Sequence, residues 1–67
     1  MSIYEKIIEE LRYTPGLRMR YIEALTNYPL AEKVKILYDM KDKNLVYTKT
    51  YKDMANMEHY DKWYAVE

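Results

Sequence analysis

Catalysis needs a nucleophile beside a base, a loop that cradles phosphate, or a set of metal ligands, and this sequence supplies few of these. It has no cysteine and one histidine, His59, which excludes thiolate and multi-histidine metal sites. Its one serine, Ser2, sits at the start of a helical pattern with no base in reach, and its one glycine, Gly16, cannot build a glycine-rich phosphate loop. Glu9-Glu10 and the Glu58-His59-Asp61 cluster supply carboxylates, but on so short a chain such groups read as solvated surface. No catalytic residue, metal or cofactor is expected, and the residues point to a protein that binds.

Two sets of side chains could do the binding. The first is cationic. From Arg12 to Lys52 nine basic residues face four acidic ones, although the whole chain balances eleven against eleven. Charge gathered in this way points to a polyanionic partner, and Arg18, Arg20, Lys33, Lys35, Lys49 and Lys52 are its candidate contacts. The second set is aromatic and soft. Nine tyrosines and one tryptophan stand against no phenylalanine, so every aromatic ring carries a hydrogen-bonding group suited to a half-wet surface. Met19, Tyr51, Met54, Met57, Tyr60, Trp63 and Tyr64 form a candidate protein interface, since aromatics and methionine are enriched where proteins meet. Trp63 and some tyrosines could equally cover the helices from below.

Punctuation at Thr14-Pro15-Gly16, Asn27-Tyr28-Pro29 and Lys43-Asn44 divides the chain into three helical segments and a tail. The 67 residues make one domain, with no linker or repeat. Ser2 with Glu5 three residues on is a capping-box pattern, and Ile3, Tyr4, Ile7, Ile8 and Leu11 then share one helical face. Thr14 and Pro15 suit the start of a second helix with Leu17, Tyr21, Ile22, Ala24 and Leu25 inward and Met19 outward. Pro29 opens a third, over residues 29–43, with Leu30, Val34, Leu37 and Tyr38 inward and Asn44 in the left-handed position that ends it. Leu45 to Tyr51 is rich in β-branched and aromatic residues and reads as a strand. A lone strand leaves its ladder groups unpaired, so Tyr60 to Val66 is its partner, with Lys52 to His59 as the connecting loop. The expected fold class is mainly α with a C-terminal β-hairpin, three short helices followed by a wing.

A competing pattern exists. Thr50 with Asp53 makes a second capping box, and Met54, Met57, Tyr60 and Tyr64 recur at helical spacing, which would give an all-α four-helix bundle. The hairpin is preferred because tertiary demand commonly overrides local propensity. The N-terminus carries no basic region followed by an apolar core, and no apolar run reaches the ~20 residues of a membrane span. A cytoplasmic protein with no membrane partner is expected.

The run Leu37-Tyr38-Asp39-Met40-Lys41-Asp42-Lys43-Asn44-Leu45-Val46 resembles the end of a recognition helix passing through a left-handed residue into a first wing strand, with Tyr64-Ala65-Val66 closing the second. Over nearly the whole chain the order of elements resembles the winged-helix domain. That resemblance implies a DNA-binding regulator whose third helix enters the major groove, with Ala31, Glu32, Lys33, Lys35 and Ile36 nearest its N-terminal end, and whose wing brings Lys49 and Lys52 to the backbone. The sequence departs from a strong DNA reader in one respect. Glu32, Lys35, Asp39 and Lys43 fall at three- and four-residue spacings, a ladder that neutralises itself. Winged helices also serve as protein-interaction modules, so the alternative is a protein-binding inhibitor or adaptor, or a homodimer, acting through the Tyr- and Met-rich residues.

Overall fold

A single capped helix opens the fold. The computed structural model describes residues 2–67, in which Ile3–Tyr13 is the first helix, α1. The Ser2 hydroxyl accepts from the Glu5 amide at 3.2 Å, and the Thr14 amide donates to the Glu10 carbonyl at 2.8 Å, so both ends have partners. Ile7 and Leu11 are buried, with Ile3, Tyr4 and Ile8 packed around them.

The expected second helix does not form. After Pro15 the chain turns through Gly16 at φ 82°, where an added Cβ would lie 3.2 Å from the Tyr64 hydroxyl. The Gly16 amide donates to the Trp63 carbonyl at 3.0 Å, and the Trp63 amide donates to the Leu17 carbonyl at 2.8 Å. A backbone committed to a strand cannot also close helical turns. Two 3-10 turns follow instead, Met19–Tyr21 and Glu23–Leu25, separated by Ile22 in an extended conformation. The Glu10 carboxylate holds the second of these by accepting from the Glu23 amide at 2.7 Å and the Ala24 amide at 3.0 Å. Ile22 and Leu25 are buried as expected, but Tyr21 is exposed, and Met19, expected outward, is half-buried against the core.

The second α-helix is Leu30–Asp42, α2, entered through Pro29. It is rotated from the stripe its sequence suggests. Leu37 and Met40 are buried and Ile36 packs beside them, while Leu30 is 71% exposed and Tyr38 also faces outward. Asn44 takes the left-handed position at φ 59°. The Leu45 amide donates to the Met40 carbonyl at 2.9 Å and the Asn44 amide to the Lys41 carbonyl at 3.0 Å, the paired bonds of a Schellman stop.

The remaining residues form an antiparallel hairpin of Val46–Asp53, β1, and Glu58–Ala65, β2, which overturns the all-α alternative. The strands run further than their composition suggests, so the connection is residues 54–57 rather than Lys52 to His59. The Asp53 carboxylate ties this tip by accepting from the Ala55 amide at 2.9 Å and from the Asn56 side-chain amide at 3.2 Å. Val46 pairs with Ala65, Thr48 with Trp63, Lys49 with Lys62 and Tyr51 with Tyr60. Leu17 bridges Trp63 on the other edge of β2, a minimal third strand. The fold is therefore α+β, two helices and a hairpin, with the core built by Ile7, Leu11, Ile22, Leu25, Leu37, Met40, Val46 and Trp63. Among the described residues no helix is long and apolar enough to cross a membrane.

Two features of this packing can be measured. Met57 sits at φ 57°, a conformation that costs an L-residue with a bulky side chain about 1 kcal/mol. Replacing it with Gly or Asn is expected to raise the melting temperature by roughly 4–8 °C in a domain of this size, read by thermal unfolding. Across α1 and α2 the Tyr4 hydroxyl donates to the Asp39 carboxylate, which also accepts from Lys43 Nζ at 3.0 Å. The Tyr4 bond first, and Lys43 second, hold the Asp39 carboxyl below the ordinary aspartate range, and the same bond holds the Tyr4 hydroxyl above the ordinary tyrosine range. A depressed carboxyl stabilises the fold above its unfolded value and loses that contribution as pH falls through its folded value, while a raised phenol loses its contribution as pH rises through its own. Tyr4→Phe is therefore expected to move the Asp39 titration upward, toward the ordinary aspartate range, and the acid limb of unfolding to higher pH, followed by carboxyl NMR and by acid titration of the fold.

Candidate functional site

Strand alternation divides the hairpin into two faces. Val46, Thr48, Trp63 and Ala65 share the inner face, where Val46 and Trp63 are buried in the core. The outer face then carries Tyr47 opposite Tyr64, Lys49 opposite Lys62 and Tyr51 opposite Tyr60. It is a mirrored Tyr-Lys-Tyr pattern across two strands. The Tyr47 and Tyr64 rings stack with centroids 5.1 Å apart and planes 12° from parallel, and Tyr51 and Tyr60 stack at 5.9 Å and 21°. Between the two stacks, Lys49 Nζ lies 5.3 Å from the Tyr64 centroid and Lys62 Nζ lies 4.8 Å from that of Tyr51. Arg18 joins from the neighbouring segment, its guanidinium 4.5 Å from the Tyr60 centroid. The Tyr51 and Tyr64 hydroxyls approach to 3.5 Å, and this contact with Tyr51 holds the Tyr64 hydroxyl above the ordinary tyrosine range, so it stays neutral.

Around the edge of β2 lies a cleft of about 360 Å³. Arg18, Arg20 and Lys33 line it, together with Leu30, Tyr38 and Asp61. The first 3-10 turn brings Arg20, the extended residue before it is Arg18, and the first turn of α2 brings Lys33. Asp61 is the one carboxylate in the lining, and its Oδ1 accepts from the Thr50 hydroxyl at 2.7 Å. Among the described residues the ion pair within 4 Å is Lys43 with Asp39, so the three cleft cations and the two outer-face lysines have no carboxylate partner at that range.

The six cations expected to contact nucleic acid thus separate. Arg18, Arg20 and Lys33 meet at the cleft, and Lys49 belongs to the outer face. Lys35 is exposed on α2 and is not in the lining of the cleft, and Lys52 lies on the opposite hairpin face, paired with His59. The expected protein interface separates too. Trp63 is 1% exposed and Met19 packs against the core, so Trp63 is removed from any surface and Met19 is largely covered. Met54 and Met57 stand at the hairpin tip, while Tyr51, Tyr60 and Tyr64 are interleaved with lysines. On the outer face the Lys49 and Lys62 pair separates the Tyr47–Tyr64 pair from the Tyr51–Tyr60 pair along the strands. Tyr47 and Lys62 were not among the sequence candidates. Their signal was the repeated spacing Tyr47-x-Lys49-x-Tyr51 and Tyr60-x-Lys62-x-Tyr64, which has meaning only once the two segments are paired in register. Glu58 and His59 alternate onto opposite faces, so the Glu58-His59-Asp61 cluster is split.

Comparison with known proteins finds no matching family model, no matching curated protein and no matching solved structure.

The stacked pairs on the outer face should couple energetically. A double-mutant cycle on Tyr47→Ala and Tyr64→Ala, read by urea unfolding, is expected to give a coupling of about 0.5–1.5 kcal/mol. Additive losses would mean that the two rings do not support one another.

Proposed function

We propose that this chain is a small, non-catalytic nucleic-acid-binding regulator of the cytoplasm, built on a winged-helix-like plan. The order of its elements supports the plan: a helix, a bridging residue at Leu17, two helical turns, a second helix and a long hairpin. On this plan the turns of residues 19–25 would stand in for the family's second helix.

The observation that carries the reading is the convergence of Arg18, Arg20 and Lys33 on one cleft from two separate elements. Among the described residues none of the three has a carboxylate within 4 Å, so the cleft carries an excess of positive charge that a polyanion would meet while releasing its own counterions. The N-terminal turn of α2 adds its unsatisfied amides beside them, since Pro29 brings no side-chain cap. By contrast, the C-terminal half of α2 is already neutralised where Asp39 holds Lys43. The contact region therefore lies at the start of α2 and along the sheet rather than along the whole helix.

A protein-binding role, as an inhibitor, an adaptor or a homodimer, draws its support from the hairpin tip, where Met54 is 76% exposed and Met57 62%.

Binding to nucleic acid is expected to weaken steeply with salt. Replacing Arg20 and Lys33 together with Gln should make the slope of log affinity against log salt shallower by about 1.8 units on a labelled duplex or about 1.4 units on a labelled single strand, measured by fluorescence anisotropy. An unchanged slope with both probes would remove the cleft from the reading.

A further inference from the structure

We infer that the outer face of the hairpin is a stacking platform for single-stranded nucleic acid, its tyrosines receiving unpaired bases and Lys49, Lys62 and Arg18 receiving the phosphates between them. The inference rests on the nucleic-acid reading above and names the form of nucleic acid recognised.

The face has the two ingredients that sequence-tolerant single-strand binding needs, aromatic rings and a track of positive charge. Tyr47 and Tyr51, on the free edge of the sheet, are 42% and 38% exposed. Each stacks on a half-buried partner, Tyr64 or Tyr60, that is braced from behind: Tyr64 lies against Gly16, and Tyr60 lies under Arg18. A base that extends either stack meets rings already held in place and orders little that was free. The two stacks are four residues apart on each strand, roughly 14 Å along the backbone at the rise of an antiparallel strand, and their side chains lean together until the Tyr51 and Tyr64 hydroxyls lie 3.5 Å apart. One base on each exposed outer ring, Tyr47 and Tyr51, makes a footprint on the order of two nucleotides.

Charge decides between a nucleic acid and a protein as the occupant. At the centre of the face Lys49 and Lys62 stand directly opposite each other, an arrangement that costs the hairpin stability on its own. Among the described residues neither has a carboxylate within 4 Å. Acidic residues of the outer face, Asp53 and Glu58, are confined to the hairpin end, beyond the second stack. A second copy of this chain would bring lysines against lysines, whereas a phosphate bridging the two ammoniums would turn the repulsion into binding. Single strand is favoured over duplex because a duplex hides its base faces within its own stack, leaving the rings no π-surface to meet.

The test uses labelled oligo-thymidylate, oligo-uridylate and a mixed-sequence duplex of equal length, titrated at low salt by anisotropy. The single strands are expected to bind more tightly than the duplex. Tyr47→Ala and Tyr51→Ala should each weaken single-strand binding roughly ten-fold, while Tyr47→Phe and Tyr51→Phe, which keep the ring, should hold affinity within about two-fold. Lys49→Gln with Lys62→Gln should make the single-strand salt slope shallower by about 1.4 units. Trp63 fluorescence in each variant verifies that the hairpin is intact, and ring NMR shifts of the tyrosines on titration give a readout that needs no variant. Tight duplex binding that depends on Arg20 and Lys33 and ignores the tyrosines would overturn this inference and leave the nucleic-acid reading standing. Failure of every probe to bind at low salt would overturn both. Concentration-dependent dimerisation abolished by Tyr47→Ala would overturn the inference in favour of a second copy of the chain.

Discussion

Trp63 joins every layer of this molecule. Its ring is buried in the common core and meets the edge of Tyr38 on α2 at 5.9 Å, with the planes 87° apart. Its backbone sits in β2 opposite Thr48, and on its other side it exchanges hydrogen bonds with Gly16 and Leu17. One residue thereby holds the hairpin to the helices and the N-terminal half to the C-terminal half. Truncating such a ring costs on the order of 3–5 kcal/mol, and a chain of this length has a total stability of roughly 3–10 kcal/mol. The fold has no disulfide to offset that loss, so the position of Trp63 is a condition for the rest of it.

With Trp63 facing inward, strand alternation fixes which side chains face outward. The residues on either side of it, Lys62 and Tyr64, must point to solvent, and the register then brings Lys49 and Tyr47 opposite them. Two aromatic pairs stabilise the strands, and one lysine pair between them opposes that stabilisation. Each lysine reaches diagonally toward a ring of the other strand, Lys49 toward Tyr64 and Lys62 toward Tyr51, which puts each ammonium against a π-system. The hairpin tolerates its central repulsion because the aromatic pairs flank it, and the outcome is a positively charged aromatic surface. On α2 the opposite solution holds, with Asp39 and Lys43 satisfying one another and Tyr4 completing the set.

Glu10 shows how a tertiary contact replaces a local one. In an isolated helix its carboxylate would be solvated surface, the reading its position beside Glu9 suggests. Here it accepts two amides from residues 23 and 24, serving as the cap for a turn thirteen residues away and stabilising a segment too short to nucleate a helix alone. The 3-10 turns are thus held from α1 on one side and by the burial of Ile22 and Leu25 on the other.

Features that rest on neighbours along the chain were readable before the fold was known. The first helix is set by Ser2 and the apolar spacing to Leu11, the second stop by Asn44, and the two strands by a run of β-branched and aromatic residues that required a partner. Local signals also misled where distant contacts were stronger. Thr14-Pro15 reads as a helix start, but Gly16 and Leu17 give their backbone groups to Trp63, and residues 51–64 hold a helical spacing of Met and Tyr that strand pairing overrides. The rotation of α2 that buries Met40 and exposes Leu30 was equally beyond the sequence, since it depends on where α1 and β1 present their apolar surfaces. The candidate site was legible as a list and not as a place. Arg18, Lys49, Tyr51, Tyr60 and Tyr64 were singled out in two rival sets, and pairing the strands in register is what interleaves them with Tyr47 and Lys62 on one face. A residue's type and spacing fix what it can do, but which residues face the same solvent is decided by non-local pairing, because a shift of one residue in register would send each of these side chains to the other face.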